Sequence, residues 1–443
     1  MKLITPPLVI EEDEPFKNDI LGRKAYGQAL LNLVTQSNDE LVISLDGQWG
    51  EGKTTFVKMW QGLLNKENVP NIYIDAFAND FVDDAFIAVA SAITSYADKH
   101  TDSVEKKKVA GFKETTKKIG FKLLSISGKA ALNMATLGAL SSIDIGDAKA
   151  IADIAKGVSE IGGSLIEEKL NSHSEDVKLL LNFRNSLTEL SQFLGTKNGK
   201  PLVIIIDELD RCRPTYAVEV LEKIKHLFSV ENVVFVLAMN KQQLEESIKS
   251  VYGQNIDAHT YLQKFITIET RLPKRTSEHT TDDIKTYCFK LMEQHHIPTY
   301  GGANIILNCV EVLARQFNLS LRQIEKIFTN ISLFYALSNK DDFILPAVIS
   351  FLSVMKVKYP YVYEKLLHRK IAYEEMCEST SFSYDKKFWL IKYLLVPEFE
   401  LNSLKGDPQF DNTRFGLSQQ GIQREDVIPM FIQKLSMFNL AHL

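Results

Sequence analysis

The chain has 443 residues, enough for two or three domains at about 150 residues each. Its 45% hydrophobic and 24% charged residues are typical of a folded globular protein and exclude a wholly disordered or collagen-like chain. The 51 basic and 56 acidic side chains give a net charge of −5, so any nucleic acid or anionic lipid must bind a local patch.

The beginning of the chain and the cysteines both bear on where the protein is found. Residues 1–15 contain two adjacent prolines and then acidic side chains, so they lack the basic and apolar regions of a secretory signal. The four cysteines form no CxxC pair, which fits neither a disulfide framework nor a zinc site. We therefore expect a reducing, cytoplasmic location. The cysteines are Cys212, Cys288, Cys309 and Cys377.

Four apolar runs predict the strands of a buried sheet. They begin at Leu41, Asn71, Pro201 and Asn232 and read LVISL, NIYIDAF, PLVIIIDEL and NVVFVLAMN. Runs rich in β-branched residues are typical of strands covered on both faces, and helical patterns separate them. This alternation predicts an α/β fold with a parallel, doubly wound sheet that binds ligands at the carboxyl ends of its strands. We expect the fourth run to complete the sheet.

The segment 99–170 interrupts this alternation and is predicted to be an inserted, lysine-rich helical hairpin. Alanines recur every four residues in its middle, and the apolar residues after Gly146 follow helical spacing. A membrane span needs about 18 consecutive uncharged apolar residues, whereas the uncharged window runs only from Ala130 to Ile143. We therefore expect no spanning helix. The lysines near its beginning are Lys106, Lys107, Lys108, Lys113, Lys117, Lys118 and Lys122.

The insertion divides the predicted core into residues 1–98 and 171–275, and the remainder is predicted to be helical. Residues 276–338 are interpreted as a helical lid and 339–443 as a helical C-terminal region interrupted by prolines. Within them, 402–423 has the composition of a loop. His295 and His296 lie in a polar stretch and are interpreted as a solvated helix end rather than a metal site.

A phosphate-binding motif follows the first strand. The sequence GQWGEGKT matches the P-loop pattern GxxxxGK[ST] at every fixed position, between a predicted strand and a predicted helix. Glycines let backbone N–H groups surround phosphates, and the helix N-terminus adds its positive end. Lys53 is expected to bridge the β- and γ-phosphates of a nucleotide, and Thr54 to hold Mg²⁺. The predicted nucleotide-binding residues are Gly47, Gln48, Trp49, Gly50, Glu51, Gly52, Lys53, Thr54 and Thr55.

An acidic motif follows the third strand. Asp207 ends an apolar run, as in a Walker B motif, where the carboxylate holds Mg²⁺. Glu208 is a candidate to polarise the attacking water, and Asn240 either contacts the γ-phosphate or that water or simply forms a turn. Arg211 is interpreted as a surface ion-pair residue or as a sensor of phosphate or of a neighbouring subunit. Arg322 is a solvated helical arginine or one that swings onto the nucleotide.

Together these residues resemble the KAP family of P-loop NTPases. Further similarities are DILGR at 19–23, the tryptophan in GQWGEGKTT, IDELDRC at 206–212, and YLQKF at 261–265 leading to RLP at 271–273. The resemblance implies a nucleotide-binding core of the additional-strand class, an Mg²⁺-dependent ATPase, and Gly22 and Arg23 near the nucleotide. It also implies an insertion between the two motifs, a bacterial source, and for several members a role in defence against phage.

The sequence departs from the family pattern in two respects. The insertion often carries membrane spans in the family, and here it is not apolar enough to do so. The family usually has aspartate where this chain has Glu208 and Asn240. Glutamate after the Walker B aspartate resembles the hydrolytic AAA+ pattern and favours turnover.

The sequence leaves three functions open. The first is an ATPase whose cycle drives a conformational change or assembly. The second is a slowly hydrolysing nucleotide switch or scaffold that signals by oligomerising. The third is a small-molecule kinase, which would not need Glu208. Besides ATP, we expect a second copy of the chain or a partner protein to bind the hairpin and the C-terminal helices. Membrane-surface contact is a weaker alternative, and no strong signal points to nucleic acid.

Overall fold

The computed structural model describes most of the chain. None of the helices in the described ranges is both long and apolar enough to cross a membrane. Residues 122–170, which hold most of the predicted hairpin, and residues 402–414 of the predicted loop lie outside the described part. The described residues are 2–5, 9–36, 39–81, 84–100, 106–121, 178–194, 199–274, 282–300, 302–383, 388–396 and 415–437.

Five parallel strands form one sheet within the described residues, which confirms the predicted α/β fold. Their order across the sheet is β2-β3-β4-β1-β5, so β4 lies between β1 and β3, as the resemblance implied. The register pairs Asp207 with Ala238 and Asp46 with Met239, so these acidic residues end at the same edge. The strands are β1 (Leu41–Asp46), β2 (Asn71–Asp75), β3 (Leu202–Asp207), β4 (Val233–Met239) and β5 (Ile268–Arg271).

Strand β5 shows that the expectation of a sheet completed by the fourth apolar run was wrong. The strand has four residues, of which Glu269 and Arg271 are exposed, so no apolar run marks it. It forms on the open edge of β1, where the Thr270 hydroxyl also donates to the Ser44 carbonyl at 2.7 Å. Backbone pairing therefore creates a strand that side-chain propensity does not indicate.

Helices cover both faces of the sheet. On one face, α1 and α2 bury Val34, Phe56 and Trp60 against the strands. On the other face, the remaining core helices share a cluster that includes Phe86 and Phe183. The core helices are α1 (Lys24–Gln36), α2 (Lys53–Lys66), α3 (Ala76–Asn79), α4 (Ala85–His100), α5 (106–121), α6 (178–194), α7 (Pro214–Lys223) with a π-helical turn Ile224–Phe228, α8 (Lys241–Tyr252) and α9 (Ala258–Leu262).

The lysine-rich helix α5 packs against this second face. Its Phe112 is fully buried, with the ring centre 5.4 Å from that of Phe183 on α6. Its lysines are on the other side, where Lys113 pairs with Asp98 at 2.8 Å. The first part of the predicted insertion is thus an amphipathic helix whose apolar side belongs to the core.

The helices after residue 282 surround a single hydrophobic cluster. Residues on both sides of residue 338 contribute to it, and the rings of Phe334 and Phe431 lie 5.2 Å apart. The predicted lid and C-terminal region therefore share a core. The helices are α10 (Asp283–His295), α11 (Ala303–Gln316), α12 (Leu321–Ala336), α13 (Pro346–Lys358), α14 (Pro360–Leu367), α15 (Tyr373–Thr380), α16 (Trp389–Leu395), α17 (415–419) and α18 (Val427–Leu435).

Two local interpretations of the sequence were wrong. Helix α17 lies in a stretch expected to be loop, because Leu417 is buried in the C-terminal cluster. His295 is buried rather than solvated, and its ring contacts the Lys2 carbonyl at 2.8 Å and the Ser332 hydroxyl at 2.9 Å. Burial lowers the pKa of His295. Its polar sequence neighbours do not reveal contacts with the distant beginning of the chain.

The packing of α5 predicts a difference between two phenylalanines of the same helix. Phe112→Ala should destabilise the protein by about 3–5 kcal/mol, because it leaves a cavity beside Phe183. Phe121→Ala is the matched control, since that side chain is 77% exposed and its loss should change stability by less than about 0.5 kcal/mol. Urea unfolding of both variants measures the difference, and equal stability would show that α5 does not belong to the core.

Candidate functional site

The P-loop connects the end of β1 to the first residue of α2 at the carboxyl edge of the sheet. Gly50 and Gly52 have φ angles of 81° and 82°, in the left-handed region that favours glycine. A Cβ on Gly50 would lie 2.9 Å from the Arg322 Cβ. Glycine is therefore required here both for the backbone conformation and for close contact with a later helix.

Lys53 begins α2 and is buried. Its ammonium group donates to the Gly47 carbonyl and, at 3.2 Å, to the Gln48 carbonyl. Burial lowers the pKa of Lys53, whereas the nearby carboxylates of Asp210 and Asp207 oppose the shift. A phosphate group beside this cation would raise the pKa of Lys53, because it adds negative charge at short range.

Asp207 lies at the end of β3, directly across the sheet edge from the P-loop. It is 1% exposed, and it accepts hydrogen bonds from the Tyr73 hydroxyl at 3.1 Å and from the Thr54 hydroxyl. Burial raises the pKa of Asp207, and the two hydrogen bonds partly offset this rise because they stabilise the carboxylate. The carboxylate and hydroxyl oxygens form the hard donor set that suits Mg²⁺, so Thr54 and Asp207 fit the predicted metal role.

Glu208 has an unusual backbone conformation that turns its side chain toward Arg211. Its φ angle is 62°, uncommon for a residue with a Cβ. One Glu208 carboxylate oxygen lies 2.8 Å from the Arg211 guanidinium. Burial raises the pKa of Glu208, and the charge of Arg211 lowers it in part. The predicted base is therefore held in an ion pair with Arg211, for which the sequence suggested an ion-pair role without naming the partner.

A cavity of about 80 Å³ brings together most of the predicted site. Asp210, which was not predicted, also lines it and accepts a hydrogen bond from the Trp49 indole N–H. Asn240 does not line this cavity and instead borders two neighbouring ones beside Gln48. The predicted residues that line it are Gln48, Trp49, Gly50, Gly52, Lys53, Thr54, Thr55, Asp207, Glu208, Arg211 and Arg322.

The other predicted residues support the loop from behind. The buried Arg23 guanidinium donates to the Glu51 carbonyl at 3.0 Å. The Glu51 carboxylate accepts from the Gln48 N–H at 3.0 Å and pairs with Lys274. Gly22 has a φ angle of 61° in the turn that leads to Arg23. These residues therefore stabilise the conformation of the P-loop, independently of any direct contact with a nucleotide.

A second cavity, of about 330 Å³, adjoins the first and suits a base and ribose. Apolar side chains of Ile20, Leu21 and Leu321 line it, and the Tyr287 hydroxyl donates to the Glu325 carboxylate at its wall. The DILGR sequence at 19–23, noted as a family similarity, forms one wall of this cavity. Tyr287, Leu321 and Glu325 were missed, because they come from α10 and α12 and match no motif.

Helix α12 begins directly against the P-loop. Ser320 caps it in a capping box with Gln323, and the Arg322 N–H donates to the Gly50 carbonyl at 3.2 Å. The Arg322 side chain lines both the phosphate-sized and the base-sized cavity. The arrangement can therefore enclose a nucleoside and its phosphates between the sheet edge, residues 18–23 and α12.

Comparisons with known proteins give one family match and several distant structural similarities. The family model described as "KAP family P-loop domain" matches residues 23–338. Among solved structures, the Aeropyrum pernix ORC2 protein in ADPNP-ADP complexes has 12% identity and a TM-score of 0.37, covering 99% of this chain and 97% of its own. The Aeropyrum pernix ORC1 protein in complex with DNA has 12% identity and a TM-score of 0.35, covering 86% and 83%.

A third solved structure, Cdc6p from Pyrobaculum aerophilum, has 14% identity and a TM-score of 0.38, covering 98% of each chain. The comparison with curated proteins finds no match.

The contact between α12 and the P-loop predicts that Gly50→Ala weakens nucleotide binding. The left-handed conformation costs a residue with a Cβ about 1–2 kcal/mol, equivalent to a 5–30-fold loss of affinity, before any clash with Arg322. Gly111→Ala is the control, because nothing lies within 4 Å of a Cβ there. Titration with a fluorescent ATP analogue measures both, and unchanged binding in Gly50→Ala would show that the loop tolerates the displacement.

Proposed function

Because the chain belongs to the KAP family of P-loop NTPases, we propose that it binds ATP with Mg²⁺ and hydrolyses it, coupling turnover to a change in conformation or assembly. The observation that carries this proposal is the cavity that gathers Lys53, Thr54, Asp207 and Glu208 at one sheet edge. The resemblance also supports a bacterial source and a role in defence against phage.

Different residues of this cavity bind the phosphates and the metal ion in this proposal. The backbone N–H groups of the loop and the Lys53 ammonium bind the phosphates, and Arg322 reaches from the base side. Thr54 and Asp207 would hold Mg²⁺, which would supply positive charge to the bound phosphates. The Glu51 contacts with Lys274 and Arg23 keep the loop in the conformation that binding requires.

Glu208 accepts a proton from the attacking water in this proposal. To do so its carboxylate has to separate from Arg211, which lies 2.8 Å away. The same separation frees the Arg211 guanidinium to stabilise charge on the γ-phosphate. Asn240 lies outside the cavity, so a contact with the water requires a movement of the fourth strand's end or an intervening water.

The second candidate function is a nucleotide switch that hydrolyses slowly. The Glu208–Arg211 ion pair favours it, because a base held by a cation polarises water poorly until the pair is broken. Multiple-turnover phosphate release separates the two candidates. In both, we propose that a second copy of the chain or a partner protein binds the predicted hairpin and the C-terminal helices.

Two substitutions test the nucleotide chemistry. Lys53→Ala should lower ATP affinity by about a hundredfold, because the phosphates lose a charge-assisted contact. Glu208→Gln should keep ATP bound but lower turnover by about 10²–10⁴-fold, since an amide accepts no proton. Lys58→Ala, exposed on the same helix, is the control for Lys53. Binding titration and steady-state phosphate release measure the effects, and unchanged turnover in Glu208→Gln would favour the switch.

The ion pair also predicts a pH dependence. Glu208 is active when deprotonated, burial raises its pKa, and Arg211 opposes that rise. Arg211→Ala therefore raises the pKa further and should move the acidic limb of the turnover profile to higher pH. Arg213→Ala is the control, because that residue pairs with Asp80 and lies outside the cavity. Turnover measured from pH 5 to 9 in both variants gives the comparison, and coincident acidic limbs would show that Arg211 does not control the protonation of Glu208 during turnover.

A further inference from the structure

A large polar cleft lies beside the phosphate cavity, and the function proposed above makes no use of its three lysines. It encloses about 780 Å³ between the P-loop and helices α12 and α13, and Gln48, Trp49 and Arg322 line both spaces. We call it the basic cleft, because its charged lining residues are Arg322, Lys326, Lys356 and Lys358, with no carboxylate among them.

The basic cleft differs from the cavity on the other side of the P-loop, which has a similar volume of about 880 Å³. There, each lysine faces an acid: the buried Lys241 lies 2.7 Å from Glu269, and the exposed Lys274 pairs with Glu51. In the basic cleft, no ion pair to a described carboxylate forms at any of its four cations. In a chain with a net charge of −5, an unbalanced cluster of this kind points to an anionic ligand.

Ordinary structural roles explain only part of the cluster. Lys356 and Lys358 lie in the last turn of α13, where cations stabilise the helix dipole. Arg322 lies in the first turn of α12, where the dipole disfavours a cation. Lys356 is half-buried, its ammonium donates to the Leu435 carbonyl at 2.7 Å, and burial lowers its pKa with no opposing carboxylate. An anion would compensate both residues.

The remaining lining groups indicate the class of anion. Seven amide side chains border the cleft, and amides recognise base edges through paired donors and acceptors. The Trp49 side chain is 46% exposed, and its indole N–H is fixed by Asp210, so the ring is an oriented stacking surface. Val357 is the cleft's other apolar side chain, which leaves little to anchor an acidic peptide.

We propose that the basic cleft binds single-stranded nucleic acid, with phosphates on its lysines and an unpaired base on Trp49. Bases in a duplex are stacked on each other and cannot lie on a side chain within a recess. Because Trp49 and Arg322 also line the phosphate cavity, strand binding and nucleotide binding share a wall. The proposal itself does not depend on ATP hydrolysis.

The test uses the full chain and a fluorescently labelled single-stranded oligonucleotide, followed by anisotropy. Lys326→Glu/Lys358→Glu should lower affinity at least about tenfold and reduce the salt dependence by about 1.4 in log–log slope, at 0.7 per lost phosphate contact. Lys340→Glu/Lys370→Glu is the matched control: both pairs are exposed or half-exposed and both variants change the net charge from −5 to −9. The control should lose less than about threefold.

ATP binding shows whether the variants fold. Lys326 and Lys358 line neither nucleotide cavity, so affinity for a fluorescent ATP analogue should be unchanged even if hydrolysis is never observed. If charge reversal disturbs folding, Lys326→Gln/Lys358→Gln provides the same comparison with an expected loss of about fivefold. In a separate measurement, the oligonucleotide should quench tryptophan fluorescence in the native protein and less in Trp49→Phe.

Four results would overturn the proposal. They are absence of oligonucleotide binding by the native protein at low salt, equal losses in the cleft and control variants, equal affinity for a duplex of the same sequence, and displacement of the strand by polyglutamate at lower concentration than by unlabelled strand. The last result would identify an acidic protein segment as the ligand instead.

Discussion

Parallel pairing of β3, β4 and β1 is the constraint on which the site depends. The register sets Asp207 beside Ala238 and Asp46 beside Met239, so the two strands that carry the phosphate and acidic motifs end together although β4 separates them. A slip of one residue would turn each side chain to the opposite face. The P-loop, Asp207 and Glu208 meet because the strands are in register, and the buried charges of Lys53 and Asp207 are then close enough to compensate each other.

Features encoded by neighbouring residues were predictable from the sequence, and those that depend on distant contacts were not. The P-loop and the four long strands have continuous patterns, so the fold class followed from them. Strand β5 has no apolar run, and Tyr287 and Glu325 reach the base-sized cavity from helices without a motif. The Glu208–Arg211 pair is local, but the positive φ angle at Glu208 that accompanies it is uncommon for a residue with a Cβ and was not predicted. Such local strain often accompanies a functional site.

The distribution of charge shows why a net value says little about partners. On one side of the P-loop, Lys241 and Lys274 each pair with a glutamate. On the other side, the cations of the basic cleft have no carboxylate among the lining residues. The two sides contribute differently to the local potential although the total is mildly negative. The lysines of α5, which dominate the sequence pattern, lie on the exposed side of a helix that is anchored by Phe112. Clusters formed by folding therefore matter more here than runs along the chain.

Helix α12 connects the P-loop directly to the core of the C-terminal helices. Its first turn is fixed by the bond between the Arg322 N–H and the Gly50 carbonyl, and its last turn packs Phe334 against Phe431. Its 16 residues span about 24 Å, so a tilt of about 5° at Ser320 moves Ala336 by about 2 Å. Because the C-terminal helices share a packed core, they would travel with that end as one body. A small change in the position of the P-loop would therefore be amplified by the length of α12 into a shift of about 2 Å in the C-terminal helices.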